Sequence, residues 1–225
     1  MLGLAVIGGE GPAPGALREM ARSADIIAAV DSGLIAAENA CLAPDWVLGD
    51  MDSLVGEANP ACEASPVGEA NPQGLHRLEK YPAERVLRYP SDKDYSDTEL
   101  ALDLLGEKGC DEIWLAGGGG GRTDHLLAIY SLFERDFPPA AWFTANEEIF
   151  CLREGKTLAL SKAPSSRISV FPLGEGPWEA ASAGLKWPLQ GLPWKRGFYG
   201  LSNEAVDGAF EIRSLHGRFL VLIAV

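Results

Sequence analysis

The sequence has few basic residues for its length. Its 225 residues include 19 lysines and arginines against 32 aspartates and glutamates, which gives a formal net charge of −13. A protein that binds a nucleic-acid duplex needs a basic surface to displace counterions, so this charge argues against nucleic acid as a partner. The same charge disfavours an anionic membrane surface, but it permits an anionic substrate if a divalent cation screens the site.

Cysteines are also few, and long apolar runs are absent. The four cysteines are scattered, with no C-x-x-C pair and no histidine at metal-ligand spacing, so we expect free thiols in a reducing compartment. No stretch of about 18 apolar residues is present to span a bilayer, and the N-terminal apolar run is too short for a signal peptide. We therefore expect a cytoplasmic protein that does not bind membranes.

Two sequence patterns divide the chain near residue 146. In residues 1–146 short apolar runs alternate with helical patterns, which predicts an α/β domain with a mostly parallel sheet. The predicted strands are residues 4–7, 26–30, 46–48, 85–89, 113–116 and 141–144, and the predicted helices are 16–22, 34–40, 97–105 and 125–135. In residues 147–225 short strand-like runs separated by Gly, Pro and Asn turns predict an antiparallel sandwich or barrel, of which we favour the β-sandwich.

Carboxylates follow three of the predicted strands. Asp50 and Asp52 come directly after the third strand, Asp31 follows the second, and Asp97 opens the helix after the fourth. Ligands of open α/β sheets bind beyond the carboxyl ends of the strands, and Mg²⁺ prefers oxygen ligands, so these side chains can converge on one cation. The residues alone leave alternatives, because Asp50 and Asp52 suit a solvated turn, and Asp31 and Asp97 suit helix N-termini.

The helix that begins near residue 97 is preceded by a mixed charge cluster. Ser96 and Glu99 have the spacing of a capping box, which predicts the start of the helix. Lys93 stands beside Asp94 in the same segment, although a cation belongs at the other end of a helix dipole. A lysine among carboxylates after a strand is typical of a phosphate-and-metal site.

A run of five glycines, residues 117–121, separates the fifth strand from its helix and is followed by Arg122 and Asp124. Glycine lets backbone N–H groups approach a phosphate closely, and Arg122 can clamp phosphate oxygens. The run is neither a Walker A loop nor the dinucleotide-binding fingerprint, and a flexible linker is the alternative. His125 is interpreted as a helix-start residue rather than a catalytic base.

Two features lie outside this pattern. Residues 55–60 read VGEANP and residues 67–72 repeat them, which predicts a surface loop to which we assign no function. Trp187 stands beside proline on a predicted loop, where an aromatic ring can stack on a flat heterocycle or can belong to the core.

Six motifs occur in one order along the whole chain: DSG at 31–33, GDMDS at 49–53, DKDYSDTE at 92–99, GGRTDH at 120–125, GLKWPL at 184–189 and SNE at 202–204. Together they resemble the thiamine pyrophosphokinase family, whose members transfer pyrophosphate from ATP to the hydroxyethyl group of thiamine, giving thiamine diphosphate and AMP. The resemblance implies an N-terminal α/β domain that binds ATP, a C-terminal β-sandwich that helps bind thiamine, Mg²⁺ as the cofactor, and a homodimer with its sites between subunits.

The resemblance also implies a role for each matched residue. The expected catalytic carboxylates are Asp31, Asp50, Asp52 and Asp97, of which Asp50, Asp52 and Asp97 are expected to bind the metal. The expected ATP-binding residues are Lys93, Asp94, Gly118, Gly119, Gly120, Gly121, Arg122 and Asp124. The expected thiamine-binding residues are Trp187, supplied by the partner subunit, with Ser202 and Asn203 nearby.

The chain departs from the family pattern at two places. Ser32 stands where the family commonly has glycine, so the family pattern does not fix the backbone geometry beside Asp31. The VGEANP repeat enlarges the loop after Ser53.

Two other functions are compatible with parts of the sequence. The chain could be a pyrophosphokinase for another hydroxymethyl heterocycle such as a pterin, or a non-catalytic nucleotide sensor. Trp187 and the SNE motif favour thiamine, and retention of every metal carboxylate favours catalysis.

Overall fold

The computed structural model describes residues 1–51, 75–90, 92–164 and 166–225. The chain divides into two compact units, Met1–Leu132 with Phe143–Ala145 and Phe133–Trp142 with Asn146–Val225. The predicted domain ranges, 1–146 and 147–225, differ from these units mainly in residues 133–142, which belong to the second unit. Asp52 and the VGEANP repeat lie outside the described residues.

The first unit contains a parallel sheet with helices, as the alternating pattern predicts. Its strands are β1 (Leu2–Val6), β2 (Ile26–Val30), β3 (Trp46–Gly49), β4 (Val86–Arg88) and β5 (Glu112–Ala116). Its helices are α1 (Pro14–Ser23), α2 (Gly33–Asn39), α3 (Leu75–Leu78), α4 (Asp97–Glu107) and α5 (Thr123–Leu132), with a 3-10 helix at Ala83–Arg85. These strands lie in the order β5-β1-β2-β3-β4, and every neighbouring pair is parallel. None of the helices in the described ranges is long and apolar enough to cross a membrane.

Both faces of β1 are buried, which explains its continuous apolar sequence. On one face Leu4 packs in a cluster with Leu17 of α1 and Ala37 of α2. On the other face a side chain at Gly3 would lie 3.1 Å from Leu105 of α4. Successive strand residues point to opposite faces, so helices cover the sheet on both sides and leave its edges for ligands.

Helix α4 begins with the predicted capping box. Glu99 N–H donates to Ser96 Oγ at 3.3 Å, and Ser96 N–H donates to Glu99 Oε2 at 2.8 Å. These reciprocal bonds satisfy two N–H groups that a helix start otherwise leaves without partners. The capping box therefore makes Asp97 the first residue of α4.

The second unit is an antiparallel β-sandwich, as predicted. Its strands are β7 (Glu147–Leu152), β8 (Thr157–Ser161), β9 (Arg167–Leu173), β10 (Glu179–Ala183), β11 (Gly200–Glu204), β12 (Ala209–His216) and β13 (Arg218–Ala224), and a short strand β6 (Ala141–Phe143) contains residues of both units. One sheet has the order β11-β9-β13-β7 and the other β10-β12-β8. Phe210 and Ile212 of β12 share one core with Phe219 and Val221 of β13, so the inner faces of the two sheets pack together.

The expectation of four free thiols is wrong, because Cys41 is disulfide-bonded. Cys110 and Cys151 are free, as expected. A disulfide requires two Cα atoms to come within about 7 Å, and spacing along the chain does not report that distance. The scattered cysteine pattern therefore gave no sign of the bond.

Candidate active site

The carboxyl edge of the parallel sheet carries most of the residues predicted for the metal and the nucleotide. Asp31 follows β2, Asp50 follows β3, Asp97 opens the helix after β4, and the glycine run follows β5. The chain proceeds from β1 through β2, β3 and β4 and then returns to the other side of β1 as β5. Such a reversal is a topological switch point, where open α/β sheets bind their ligands. These residues therefore lie where the fold favours a nucleotide.

Asp31 has an unusual backbone conformation and a raised pKa. Its φ is 47°, its N–H donates to Leu48 O at 3.0 Å, and its Oδ1 accepts from Met51 N–H at 3.5 Å. Burial, followed by the charge of Asp97, raises the pKa of Asp31 from 3.8 to about 7, and Asp50 contributes in the same direction. Neighbouring carboxylates disfavour one another's ionisation. Three predicted carboxylates therefore interact electrostatically in the folded chain.

Asp97 is held between a lysine and a second carboxyl group. Its Oδ2 lies 3.1 Å from Lys93 Nζ, which also donates to Pro90 O at 3.1 Å. Its Oδ1 is buried and accepts no hydrogen bond from a donor among the described residues. The charge of Asp97 is one of the causes that raise the pKa of Asp31. Neighbouring carboxylates disfavour one another's ionisation unless a cation offsets their charge.

The chemistry of these carboxylates fits a hard divalent cation. Mg²⁺ is commonly bound through one or two carboxylates together with substrate phosphates. The unpartnered Asp97 Oδ1 and the raised pKa of Asp31 both indicate negative charge that a cation would offset. Within the described ranges, no group of three or more Asp, Glu, His and Cys side chains is arranged to hold a metal by itself. Asp52, the remaining predicted ligand, lies outside those ranges.

Backbone hydrogen bonds join the glycine run after β5 to the loop after β1. Glu10 and Gly119 exchange two N–H···O bonds of 2.8 Å, and Gly118 N–H donates to Gly8 O at 2.7 Å. The N–H groups of Gly118 and Gly119 are therefore used inside the protein. The predicted contact of Gly118 and Gly119 with ATP stays a prediction, and their N–H groups are not the atoms that would make it.

Gly120 and Gly121 continue the run beyond this bridge. Their φ values are 65° and 68°, in the left-handed region that favours glycine. Their N–H groups have no hydrogen-bond partner in the described part of the chain. Of the four predicted glycines, these two retain backbone donors for an anionic ligand.

The loop after β1 is the part of this edge that the sequence analysis missed. Gly9 has a φ of 95°, and a Cβ there would lie 3.0 Å from Gly119 O. A Cβ at Gly8 would lie 2.3 Å from Ser32 Oγ, so the two positions are packed against each other. Ser32 itself has a φ of −61°, which any residue adopts, so this position does not require glycine. The available signal was the glycine-rich sequence directly after the first strand.

Arg122 and Asp124 form an exposed pair at the start of α5. Arg122 Nε donates to Asp124 Oδ1 at 3.1 Å, and Arg122 Nη2 donates to Asp124 Oδ2 at 2.5 Å. These bonds raise the pKa of the Arg122 guanidinium and lower the pKa of the Asp124 carboxyl. Asp124 therefore occupies the Nε edge of the Arg122 guanidinium, and the Nη1 and Nη2 edge remains for another oxyanion. Asp94 is exposed on the segment before α4.

In the second unit Asn203 holds the backbone of Trp187. Trp187 N–H donates to Asn203 Oδ1 at 3.1 Å, and Asn203 Nδ2 donates to Trp187 O at 2.6 Å. Asn203 is 5% exposed, whereas Trp187 is 51% exposed. The Asn203 amide therefore positions the Trp187 backbone in this structure, and the contact of Asn203 with thiamine stays a prediction. Ser202 is exposed, with a φ of 56°.

Gly49 is required beside Asp31. Its φ is 140°, and a Cβ at this position would lie 1.7 Å from Asp31 Oδ1. We expect Gly49→Ala to displace the Asp31 carboxyl and to lower the free energy of unfolding by about 1–3 kcal/mol, measured by urea denaturation. The matched control is Gly15→Ala in α1, where a Cβ meets nothing within 4 Å; this substitution should stabilise the chain by about 0.5–1 kcal/mol. Equal stability of Gly49→Ala and the wild type would contradict the assignment.

The raised pKa of Asp31 predicts a pH-dependent stability in buffer that contains a chelator. Because the folded pKa of about 7 lies above the unfolded value of 3.8, folding favours the protonated form. The contribution of Asp31 is full below 3.8 and is lost as the pH rises through 7. The side chain that Asp31→Asn introduces does not titrate. The difference between the Tm of this variant and the Tm of the wild type should therefore increase in favour of the variant as the pH rises from 5 to 8. Parallel Tm curves for the two proteins would rule out the coupling.

Comparison with known sequences identifies the family. A family model described as the thiamin pyrophosphokinase catalytic domain matches residues 17–138, more than half of the 225-residue chain. Thiamine pyrophosphokinase of Bacillus subtilis (strain 168) is 30% identical over 165 residues, which cover 71% of this chain and 68% of the relative.

Solved structures share the fold. The crystal structure of thiamine pyrophosphokinase from Bacillus subtilis superposes with a TM-score of 0.73 at 23% identity, covering 100% of this chain and 99% of that one. Thiamin pyrophosphokinase from Candida albicans gives a TM-score of 0.70 at 16% identity, covering 100% and 90%. These structures show the fold, and the sequence matches show the family: the chain belongs to the thiamine pyrophosphokinase family.

Proposed function

We propose that the chain transfers the pyrophosphoryl group of ATP to the hydroxyl group of thiamine, giving thiamine diphosphate and AMP. Membership of the family supports this activity and does not favour a pterin as the acceptor. The observation that carries the proposal is that Asp31, Asp50 and Asp97 interact electrostatically at the carboxyl edge of the parallel sheet. A surplus of carboxylates beside a glycine-rich strand end suits a site for metal-bound phosphates.

In this reaction the thiamine hydroxyl oxygen forms a bond to the β-phosphorus of ATP. The bond between that phosphorus and the oxygen that bridges it to AMP breaks, AMP departs with the bridging oxygen, and the hydroxyl proton is released. Negative charge grows on AMP and on the transferred group, so groups that stabilise this charge lower the barrier.

The cofactor that we propose is Mg²⁺, with Asp50, Asp52 and Asp97 as the residues that would hold it and Asp31 beside them. When bound, the cation would offset the charge of the phosphates and of the carboxylates. The buried, unpartnered Oδ1 of Asp97 supports this assignment. Lys93 already pairs with the other oxygen of Asp97, so the chain supplies part of the positive charge at this carboxylate itself.

The ATP side is proposed to consist of Lys93, Asp94, Gly118, Gly119, Gly120, Gly121, Arg122 and Asp124. Within this set the residues have different tasks. Gly118 and Gly119 fix the loop through their bonds to the loop after β1, whereas Gly120 and Gly121 carry the N–H groups that a phosphate can accept from. Arg122 is proposed to bind phosphate through the Nη1 and Nη2 edge of its guanidinium while Asp124 holds the Nε edge.

On the thiamine side, Trp187 offers an exposed indole ring to a flat cationic heterocycle, and Ser202 lies exposed on the same unit. Asn203 is proposed to act through Trp187, because its amide is occupied by the Trp187 backbone. The thiamine side therefore combines one contact residue with a buried residue that sets its position.

We expect Asp50→Asn and Asp97→Asn each to reduce AMP formation by about 100-fold or more, because each removes charge from the metal cluster. The assay contains ATP, Mg²⁺ and thiamine, and detects AMP and thiamine diphosphate. Glu107→Gln is the control, since it removes one exposed carboxylate from the far end of α4; it should retain wild-type turnover. Wild-type kcat in Asp97→Asn would refute the metal assignment.

The same assay separates the alternative functions. AMP formation with a hydroxymethyl pterin but not with thiamine would favour the pterin enzyme, and no AMP with either acceptor would favour a nucleotide sensor.

The quaternary structure that we propose is a homodimer in which Trp187 of the partner subunit stacks on thiamine. The exposure of three large apolar residues of the second unit supports a partner surface: Trp187 is 51%, Tyr199 46% and Leu201 57% exposed. Sedimentation equilibrium should give twice the chain mass of 24.0 kDa. A single species of the chain mass at all concentrations would contradict the dimer.

A further inference from the structure

One face of the Trp187 ring is already covered by a cation of the same chain. Lys186 Nζ lies 4.6 Å from the centroid of the Trp187 ring. The same Nζ lies 2.8 Å from Glu204 Oε2, so Glu204 holds the ammonium group in place. A lysine over an indole face is attracted by the negative potential of the ring. The ring therefore carries a positive charge on one face, and Trp187 as a whole is 51% exposed.

The backbone around this cluster is fixed independently of the charged side chains. Lys186 N–H donates to Glu204 O at 2.9 Å, and Leu185 and Ala205 form an antiparallel bridge. Asn203 adds its two bonds to the Trp187 backbone. Replacing the Lys186 or Glu204 side chain therefore leaves every one of these hydrogen bonds in place.

We propose that Lys186 is a specificity-determining residue, whose charge on one face of Trp187 weakens the binding of a cationic heterocycle to the opposite face. This inference rests on the proposed function, in which the ligand of Trp187 is thiamine with its cationic thiazolium ring. A cation stacked on the opposite face lies about 8–10 Å from Lys186 Nζ, since cations bind within about 6 Å of a ring centroid. Repulsion at that distance, in largely aqueous surroundings, corresponds to a roughly two- to fivefold change in affinity.

Glu204 distinguishes this proposal from a simple effect of net charge. Lys186 and Glu204 are together neutral, so Lys186→Met alone leaves an extra negative charge that attracts any cation. The double variant Lys186→Met/Glu204→Gln restores the neutral pair while removing the ammonium group from the ring. If only net charge mattered, the double variant would bind thiamine as the wild type does.

The test is the KM for thiamine of the full-length enzyme with saturating ATP and Mg²⁺. We expect Lys186→Met to lower KM roughly two- to fivefold and the double variant to lower it by a smaller factor of about 1.5, because Glu204 offsets most of the charge of Lys186 in the wild type; kcat should stay within about twofold of wild type. The control is Lys195→Met, which removes one exposed lysine of the same unit; its KM should not change. An unchanged or increased KM in the double variant would overturn the proposal, as would an equal decrease in Lys195→Met.

Binding measured without turnover separates this proposal from the proposed activity. The probes are N-methylpyridinium, which is cationic, and a neutral aminopyrimidine, and the signal is the part of the tryptophan emission that Trp187→Phe removes. We expect the double variant to bind the cation more tightly and the neutral ring unchanged. An equal change for both probes, or no change for either, would overturn the role of Lys186. Absence of AMP with thiamine would instead overturn the proposed function, and the probe comparison would still decide the role of Lys186.

Discussion

The charges of Asp97 and Asp50 act on the buried carboxyl group of Asp31 at the carboxyl edge of the parallel sheet, and with its burial they raise its pKa. The surrounding chain keeps these carboxyl groups in place in spite of their repulsion. Gly49 leaves space for the Asp31 carboxyl, and Lys93 neutralises one oxygen of Asp97. The capping box fixes the start of the helix that carries Asp97. The repulsion opposes folding of the cation-free chain, and it is also the source of the attraction for a cation.

The layout of this edge could be predicted from the sequence because it depends on local patterns. Apolar runs that alternate with helical patterns predicted the parallel sheet, and polar residues directly after those runs fell at the expected edge. Ser96 and Glu99 predicted the start of α4 because a capping box involves only neighbouring residues. The β-sandwich of the second unit followed from short strands and frequent turns in the same way.

The parts that could not be predicted depend on which distant residues meet. Two N–H groups of the glycine run after β5 donate hydrogen bonds to the loop after β1. No local sequence pattern predicts that these two loops pair. The disulfide of Cys41 is of the same kind. Asn203 has a side chain of the kind that often binds ligands, but here its amide is buried and holds the Trp187 backbone. The raised pKa of Asp31 likewise arises from burial and neighbours rather than from its own motif.

The bridge between Glu10 and Gly119 also has a consequence for the order in which the site is completed. The two residues lie far apart in the sequence, and their loops meet only after β5 has paired beside β1. Contacts between such distant segments form slowly, because a long loop must close first. A nascent chain that ends after α4 already contains Asp31, Asp50 and Asp97 but lacks the second glycine-rich loop. Capture of a nucleotide during synthesis therefore has to wait for the last strand of the parallel sheet.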